Sequence, residues 1–234
     1  MTIATDHGRS TGAKAVGRRS LAVPRQVQLR LKRILDVLVA ALALILLSPL
    51  MLLVAVAIRV TSRGPVIFRQ TRLGLGQRRF TIYKFRSMRV DADPEIHRRF
   101  LRREVELWSS GHIDAISHYK VGDDLRVTAV GRLIRRLSID EIPQLVNVVR
   151  GEMSLVGPRP DLAYSLENYQ PHHHRRFEVL PGLTGLWQVS GRSHLSYVDM
   201  LELDVVYADT WSLYQDLKIL IRTVPVLAMP ARAG

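Results

Sequence analysis

The longest run of apolar positions lies near the N-terminus, where residues 37–58 contain no charged side chain. As an α-helix these 22 residues would extend about 33 Å, which is enough to cross the hydrocarbon core of a bilayer. Ser48 and Pro49 lie in the middle of the run, and a proline there removes one hydrogen bond of the helix and kinks or breaks it. The Ser48 hydroxyl can satisfy a carbonyl that the proline leaves free. This pattern predicts a membrane helix that breaks at Ser48-Pro49.

Basic side chains flank the run on both sides, with Arg30, Lys32 and Arg33 before it and Arg59 and Arg63 after it. Positive residues favour the cytoplasmic side of a membrane, so a single transmembrane crossing, which the length permits, would put one cluster on the unfavourable side. A helix that enters, breaks and returns keeps both clusters on one side. We therefore predict a re-entrant, monotopic anchor over residues 31–62, preceded by a flexible basic tail over residues 1–30.

The remainder of the chain predicts a mostly helical α+β catalytic domain over residues 63–234. Two short strands, at residues 66–71 and 80–85, are expected to form a small β-hairpin around Gly74 and Gly76. Helices are expected at residues 95–108, 131–136, 140–149, 197–207 and 213–229. Gly151 should stop the third of these helices, and Pro225 should bend or end the last. The last helix mixes apolar residues with basic ones, which fits either an interfacial helix or a helix packed on the core.

Composition and charge narrow the classes of function. The chain of 234 residues is 47% hydrophobic, carries a net charge of +13 and has no cysteine, which excludes a disulfide scaffold, a thiolate metal site and a cysteine nucleophile. Between residues 59 and 103, thirteen Lys and Arg stand against three acids. Directly after an apolar anchor, such a patch indicates a surface that meets anionic lipid headgroups. Nucleic acid is not expected as a partner, because no helix-turn-helix, RNP or zinc-finger spacing is present.

Asp140 and Glu141 are the strongest candidates for chemistry. The chain has no G-x-x-x-x-G-K-S/T loop and no G-x-S-x-G elbow. The two adjacent carboxylates follow Arg135 and begin a predicted helical segment, and helix N-termini favour bound phosphates. One carboxylate can attack phosphorus to form an acyl phosphate, while its neighbour holds Mg²⁺. The alternative is structural, because Ser138 and Glu141 have the spacing of a capping box.

The other candidate sites are less specific. Asp91 and Asp93 resemble the metal-binding acid pair of nucleotide-sugar glycosyltransferases, although this short pattern is usual in solvated loops. The three histidines at 172–174 indicate a basic surface patch, since three consecutive residues rarely converge on one metal ion. Arg159, between two prolines, and Arg192 can each present a planar guanidinium to a phosphate, with a surface turn as the alternative.

Five ordered motifs together resemble the bacterial sugar transferases, the monotopic phosphoglycosyl transferases. They are KRILD at 32–36 before the apolar run with Ser48-Pro49, KFRSM at 84–88, SIDEIPQL at 138–145, SLVGPRP at 154–160 and PGLTG at 181–185. The resemblance extends from about residue 32 to residue 225. Further segments, WQVSGR at 187–192 and WSL at 211–213, are similar to the exopolysaccharide-type branch. This chain looks like the catalytic unit of that branch alone.

The resemblance implies a reaction. Asp140 would attack the β-phosphorus of a UDP-sugar and release UMP, and undecaprenyl phosphate would then accept the phospho-sugar from the aspartyl intermediate. Glu141 would coordinate Mg²⁺. Arg135, Arg159 and Arg192 match family arginines at the nucleotide-sugar phosphates, and Lys84, Arg86 and Asp91 match the pocket-lining segment. Galactose or glucose is the sugar suggested by this branch, and the inner face of the cytoplasmic membrane is the expected location.

Two other classes of function stay open at this stage. One is a membrane glycosyltransferase that moves only the sugar and releases UDP, with Asp91 and Asp93 as its metal site. The other is a non-enzymatic membrane adaptor whose basic surface binds lipid or a polysaccharide-assembly partner. The nucleotide that leaves distinguishes the first from a phosphoglycosyl transferase, and an absence of turnover favours the second. A homo-oligomer is compatible with each of these functions.

Overall fold

The computed structural model of the chain describes residues 24–89, 95–110, 126–191 and 195–228. The apolar run lies in one helix, α1 (Arg25–Thr61), which is long and apolar enough to cross a membrane by length and composition. This helix begins at Arg25, before the predicted anchor boundary at residue 31, because Pro24 precedes it with extended backbone and the residues that follow continue the helical hydrogen bonding.

The helix continues through Ser48 and Pro49, so the predicted helix–break–helix is not confirmed. Pro49 has no N–H to donate to the carbonyl of Ile45, four residues earlier. The Ser48 hydroxyl donates to that carbonyl oxygen at 2.8 Å. The predicted local compensation by Ser48 is therefore confirmed, and it satisfies a backbone acceptor that the proline would otherwise leave without a partner.

One face of α1 packs on the rest of the protein along most of its length. Asp36, Ala40, Val54 and Ile58 are buried, at separations that keep them on one side of a helix. The opposite face consists of exposed apolar side chains: Leu35, Leu38, Leu42, Ile45, Leu46, Leu52, Leu53, Val56 and Val60. Both the N-terminal and the C-terminal half of the helix thus contact the same body.

Two strands, β1 (Ile67–Leu73) and β2 (Arg79–Phe85), follow α1 and lie at the segments that the sequence predicts. They pair antiparallel, with Ile67 opposite Phe85 and Leu73 opposite Arg79. The connection between them turns through Gly76 and Gln77, both at φ 59°. Glycine adopts this left-handed backbone without strain, and a Cβ at Gly76 would meet open space.

Most of the remaining helices agree with the predicted ones to within about three residues, a difference that is usual at helix ends. The remaining helices are α2 (Glu95–Ser109), α3 (Ala129–Arg136), α4 (Leu145–Arg150), α5 (Leu186–Ser190), α6 (Tyr197–Thr210) and α7 (Leu213–Ala228), of which α5 was not predicted. Three 3₁₀ segments, Ile139–Gln144, Ala163–Asn168 and Pro171–Glu178, lie between them. The helix predicted at 140–149 is the exception: α4 begins only at Leu145, because residues 139–144 form a 3₁₀ segment. Gly151 ends α4 in the left-handed conformation, as predicted, and α7 continues through Pro225.

A second sheet was not predicted. Strands β3 (Ser154–Val156) and β4 (Gly182–Thr184) pair parallel. Each has three residues, too few for an alternating pattern to be recognised in the sequence. The backbones approach closely beside this pair, because a Cβ at Gly182 would lie 2.0 Å from the Gly157 nitrogen. Both glycines belong to motifs that carried the family resemblance.

Two hydrophobic clusters form the core, and they hold the acidic dipeptide between them. The larger contains buried residues of α1, β2, α4, β3, α6 and α7, and Met153 just before β3: Ala40, Ile82, Leu145, Val148, Met153, Leu155, Val156, Tyr207 and Ile219. The smaller joins Val54 and Ile58 of α1 to Phe85 and Ile134. Ile142 packs against the larger cluster and Ile139 against the smaller. Asp140 and Glu141 are thus fixed between two packed side chains of the same 3₁₀ segment.

Candidate active site

The acidic dipeptide lies in the 3₁₀ segment that connects α3 to α4. Ser138 precedes this segment with left-handed backbone, φ 56°, and its side chain makes no capping hydrogen bond. The capping-box interpretation of Ser138 and Glu141 is therefore wrong, because the serine does not have the extended backbone of an N-cap residue. Glu141 is left available for contacts outside its own helix.

Glu141 is bound by two cations from other elements. Its Oε1 atom accepts from Lys84 Nζ at 3.0 Å and from Arg159 Nη2 at 2.6 Å. Among the described residues, Oε2 has only a longer contact of 3.4 Å with Arg159 Nη1. Burial by itself would raise the pKa of Glu141, but Arg159 and Lys84 lower it well below its ordinary value. Glu141 is thus a permanently ionised carboxylate near neutral pH.

Asp140 has the opposite environment. It is half-buried, and its carboxylate accepts no hydrogen bond from the described residues. Burial, together with the adjacent charge of Glu141, raises the pKa of Asp140 to about 6, against the lowering effect of Lys84, Arg159 and Arg135. Neighbouring carboxyl groups with separated pKa values are typical of sites where the two groups have different roles. Above pH 6, Asp140 is an ionised carboxylate without a hydrogen-bond donor, which is the state a nucleophile requires.

The two cations that bind Glu141 are positioned by the elements that carry them. Lys84 lies on β2, and burial lowers its pKa while Glu141 raises it. Arg159 presents its side chain to Glu141, which raises the pKa of the guanidinium, and its backbone carbonyl accepts from Arg176 Nη2 at 2.6 Å. The segment between Pro158 and Pro160 is therefore fixed by its own prolines and by a buried arginine.

Arg176 belongs to a buried polar network that sequence reasoning missed. Arg176 binds Asp204 at 2.6 Å and Asp161 at 3.3 Å. The Oδ2 atom of Asp161 also accepts from the hydroxyls of Tyr169 and Tyr197, each at 2.8 Å. Burial raises the pKa of Asp204 to about 6, against the lowering effect of Arg176. No local sequence signal marks these residues, since they come from four different segments; only Asp161 directly follows the GPRP motif.

Of the residues predicted for the site, the structure brings four together, namely Asp140, Glu141, Lys84 and Arg159, with Arg135 close enough to Asp140 to lower its pKa.

The other predicted residues lie elsewhere or outside the described residues. Arg86 is hydrogen-bonded away from the pair: its Nη2 atom donates to the carbonyl and the hydroxyl of Ser62, at 2.8 and 2.7 Å, just after α1. Asp91, Asp93 and Arg192 lie outside the described residues.

The surface patch predicted for the histidines at 172–174 is wrong for His173, which is buried with 1% of its surface exposed, whereas His172 is exposed and His174 is half-buried. His172 and His173 both approach Glu202 Oε1, at 2.7 and 3.0 Å. His173 Nδ1 accepts the N–H of Gln170 at 3.0 Å. Its Nε2 atom must therefore carry the ring proton and donate to Glu202, which leaves no lone pair there for a metal ion.

The arrangement suits phosphate chemistry. Cations converge on a fixed carboxylate pair, one member of which is free of hydrogen bonds from the described residues, and this lowers the repulsion between an anionic nucleophile and a phosphate.

Comparison with known proteins agrees with this chemistry. The exopolysaccharide production protein ExoY of Sinorhizobium fredii is 41% identical over 200 residues, which are 85% of this chain and 85% of the relative. The UDP-glucose:undecaprenyl-phosphate glucose-1-phosphate transferase of Caulobacter vibrioides is 45% identical over 84% of this chain and 69% of its own length. The undecaprenyl-phosphate galactose phosphotransferase of Salmonella typhimurium is 39% identical over 84% of this chain and 40% of its own length. The family described as Bacterial sugar transferase matches residues 27–230. The chain therefore belongs to the bacterial sugar transferase family, which confirms the resemblance and the transferase class that its motifs indicate.

Proposed function

We propose that this chain transfers a sugar 1-phosphate from a UDP-sugar to undecaprenyl phosphate and releases UMP, as the first membrane step of exopolysaccharide synthesis. The observation that carries the proposal is the pairing of Asp140, which accepts no hydrogen bond from the described residues, with Glu141, which two cations hold ionised. The names of the Caulobacter and Salmonella relatives support the reaction class. They differ in the sugar, so the choice between glucose and galactose is left to experiment.

In the first step an oxygen of Asp140 attacks the β-phosphorus of the donor. The bond between this phosphorus and the oxygen that bridges to the α-phosphorus breaks, and UMP leaves with that oxygen and its electron pair. Lys84 and Arg159 lie where they can neutralise the charge on the transferred phosphoryl group. The product is a phospho-sugar bound to Asp140 as an acyl phosphate.

In the second step a phosphate oxygen of undecaprenyl phosphate attacks the same phosphorus. The bond to Asp140 breaks, the carboxylate is regenerated, and the lipid carries the sugar through a diphosphate. Because the first product is covalent, the soluble nucleotide-sugar and the lipid acceptor need not occupy the site together.

We further propose that Mg²⁺ binds at Glu141. The residues fit such an ion, because Glu141 is ionised and, in the part of the chain that the structure describes, its Oε2 atom has only the contact of 3.4 Å with Arg159. When bound, the ion would neutralise phosphate oxygens of the donor. If this is right, excess EDTA stops turnover and added Mg²⁺ restores it; undiminished turnover in EDTA would refute the assignment.

The anchor is proposed to be re-entrant, with the catalytic domain on the cytoplasmic face of the inner membrane. The basic side chains on both flanks of the apolar run and the contacts of both halves of α1 with one body support this topology. Exposed apolar side chains of α7, including Leu217, Ile221 and Val224, extend the surface offered to lipid. Reporters on the two termini should lie on the same side of the membrane. Pro49→Ala should favour a straight crossing and move the N-terminus across, which a protease-protection assay would detect.

The experiment that tests the reaction identifies the nucleotide that is released. Detergent-solubilised protein receives undecaprenyl phosphate, Mg²⁺ and, in turn, UDP-glucose, UDP-galactose and UDP-N-acetylhexosamines. UMP is expected, and the donor that yields it names the sugar. UDP would mean that the sugar alone moves and that Asp140 is not the phosphoryl nucleophile. No turnover with every donor would favour the membrane adaptor.

A further inference from the structure

Arg72, on β1, is a cation whose hydrogen-bond partners are all neutral. Its Nη2 atom donates to Gln70 Oε1 at 2.7 Å, and Nη1 donates to the carbonyl of Pro160 at 3.3 Å. Its Nε atom is buried and has no hydrogen-bond partner among the residues that the structure describes. Leaving a donor of a charged group unused in a buried position is unfavourable, so a guanidinium with a free donor toward the described residues, beside a candidate active site, suits an anionic ligand.

Asp161, the carboxylate with the largest effect on the pKa of Arg72, already accepts hydrogen bonds on both of its oxygens. Its Oδ1 atom accepts the N–H of Leu162 at 2.7 Å, and its Oδ2 atom accepts from Tyr169, Tyr197 and Arg176. Burial lowers the pKa of Arg72 to about 10, while the charge of Asp161 raises it. Arg72 is therefore charged at neutral pH, and a donor for hydrogen bonding remains unused.

Arg72 lies beside the segment that carries Arg159, the residue whose side chain binds Glu141. The N–H of Leu73 donates to the carbonyl of Asp161 at 2.9 Å, which attaches the end of β1 to the segment that carries Arg159. Arg159 and Glu141 are among the charged groups that change the pKa of Arg72. Arg72 is thus a third cation beside Lys84 and Arg159, whereas the pair of Asp140 and Glu141 supplies two negative charges. The excess positive charge can bind a diphosphate.

We propose that Arg72 binds the phosphate of the donor that leaves with the nucleotide. This inference rests on the proposed function. Lys84 and Arg159 bind Glu141, the neighbour of Asp140, so they are placed to bind the phosphate that Asp140 attacks. Arg72 instead donates to the carbonyl of Pro160, the residue after Arg159, and so adds a cation beyond the two that bind Glu141. In a displacement the leaving group departs opposite the nucleophile. A guanidinium there neutralises the charge that develops on the departing oxygen, and its planar fork suits two phosphate oxygens.

The test separates the two half-reactions. Protein without acceptor is mixed with UDP-sugar, and the burst of UMP is followed; undecaprenyl phosphate is then added to fully loaded protein, and transfer of the phospho-sugar is followed. Arg72→Gln should slow the UMP burst about 100-fold, the usual effect of losing one donor that stabilises transition-state charge. It should weaken inhibition by added UMP and leave the second half-reaction within about threefold of wild type, since the nucleotide has then left. Arg72→Lys should recover part of the burst rate.

Arg69→Gln is the matched control. Arg69 lies three residues earlier on β1, is exposed and stacks on Tyr83, so it points away from the face that carries Arg72. Both half-reactions of this variant should match wild type. The inference is overturned if Arg72→Gln matches wild type in the burst and in UMP inhibition, or if it slows both half-reactions equally, as a merely structural role would. Wild-type protein that releases UDP instead refutes the proposed function itself, so the two failures can be distinguished.

Discussion

Two charged clusters meet at Arg159, and they differ in how completely their polar groups are paired. On one side the backbone carbonyl of Arg159 accepts from Arg176, in a buried network in which Asp161, Asp204, Tyr169 and Tyr197 surround one guanidinium. On the other side the Arg159 side chain binds Glu141, next to Asp140 and Arg72, both of which have unused hydrogen-bonding capacity toward the described residues.

The difference shows that residue type alone does not distinguish a structural cluster from a catalytic one in this protein. Both clusters consist of arginines and acids, but the Arg176 cluster is closed and mostly saturated, so it can only hold the backbone of the GPRP segment in place. The Glu141 cluster is partly exposed and carries an unpaired carboxylate and an excess cation. Unsatisfied groups are unfavourable for stability, and they are useful where a ligand will satisfy them.

The largest expected effect is on activity, at Asp140. Asp140→Asn removes the nucleophile and should lower turnover by at least about 1,000-fold, because the covalent step is lost. Membrane association should be unchanged. Asp209→Asn is the control, since Asp209 pairs with exposed Arg175 away from the site and should retain activity. An Asp140→Asn variant with wild-type turnover would contradict the nucleophile assignment.

The next effect is on stability, at Arg176. Arg176→Met leaves Asp161 and Asp204 buried without their cation, which should lower the free energy of unfolding by about 3–5 kcal/mol. The neighbouring Arg175→Met removes a pair that is half exposed on the arginine side and should cost less than about 1 kcal/mol. Denaturant titration in detergent measures both. Equal losses in the two variants would contradict the distinction between the closed cluster and the surface.

A third prediction concerns pH. Since burial and Glu141 raise the pKa of Asp140 to about 6, the rate of the UMP burst should fall about tenfold for each pH unit below 6 as the nucleophile is protonated. The folded-state pKa is above the ordinary value of 3.8, so the folded protein binds this proton more tightly than the unfolded chain. The corresponding stability is present below pH 4 and is lost as the pH rises through 6.

The stability part of this prediction has its own readout. Relative to Asp140→Asn, which does not titrate, the wild-type protein should lose thermal stability between pH 4 and pH 7, by an amount worth about 1 kcal/mol once solvent screening of a half-buried group is allowed for. A difference in melting temperature that stays constant across this range would show that the pKa of Asp140 is not raised.

The smallest expected effect is on stability, at a single backbone carbonyl in α1 that is either paired or left without a donor. Ser48→Ala removes the only donor that the described residues provide for the Ile45 carbonyl in place of the Pro49 N–H, which should cost about 1 kcal/mol. Thr61→Val removes a similar bond, from Thr61 Oγ1 to the Ala57 carbonyl at 2.6 Å. There the backbone N–H of Thr61 remains, so the cost should be smaller. Thermal unfolding of the two variants in detergent compares them.

The sequence by itself determined the elements and the chemistry that local patterns encode. The apolar run of α1, the strands around Gly74 and Gly76 and the helices follow from periodicity and turn residues. The adjacent carboxylates of Asp140 and Glu141 are visible because they are neighbours in the chain, and the ordered motifs identified the family. The compensation of Pro49 by Ser48 was likewise predictable, since it lies within one helical turn.

The tertiary structure decided which of these residues meet. Lys84 is 57 residues from Glu141 and Arg176 is 28 residues from Asp204. No local sequence pattern therefore predicts either contact. The same holds for the parallel pairing of β3 with β4, the burial of His173 and the lack of a hydrogen bond from Arg72 to any carboxylate of the described residues. Tertiary packing decides whether a charged side chain has a partner of opposite charge, because that depends on the distance in space between segments that are far apart in the sequence.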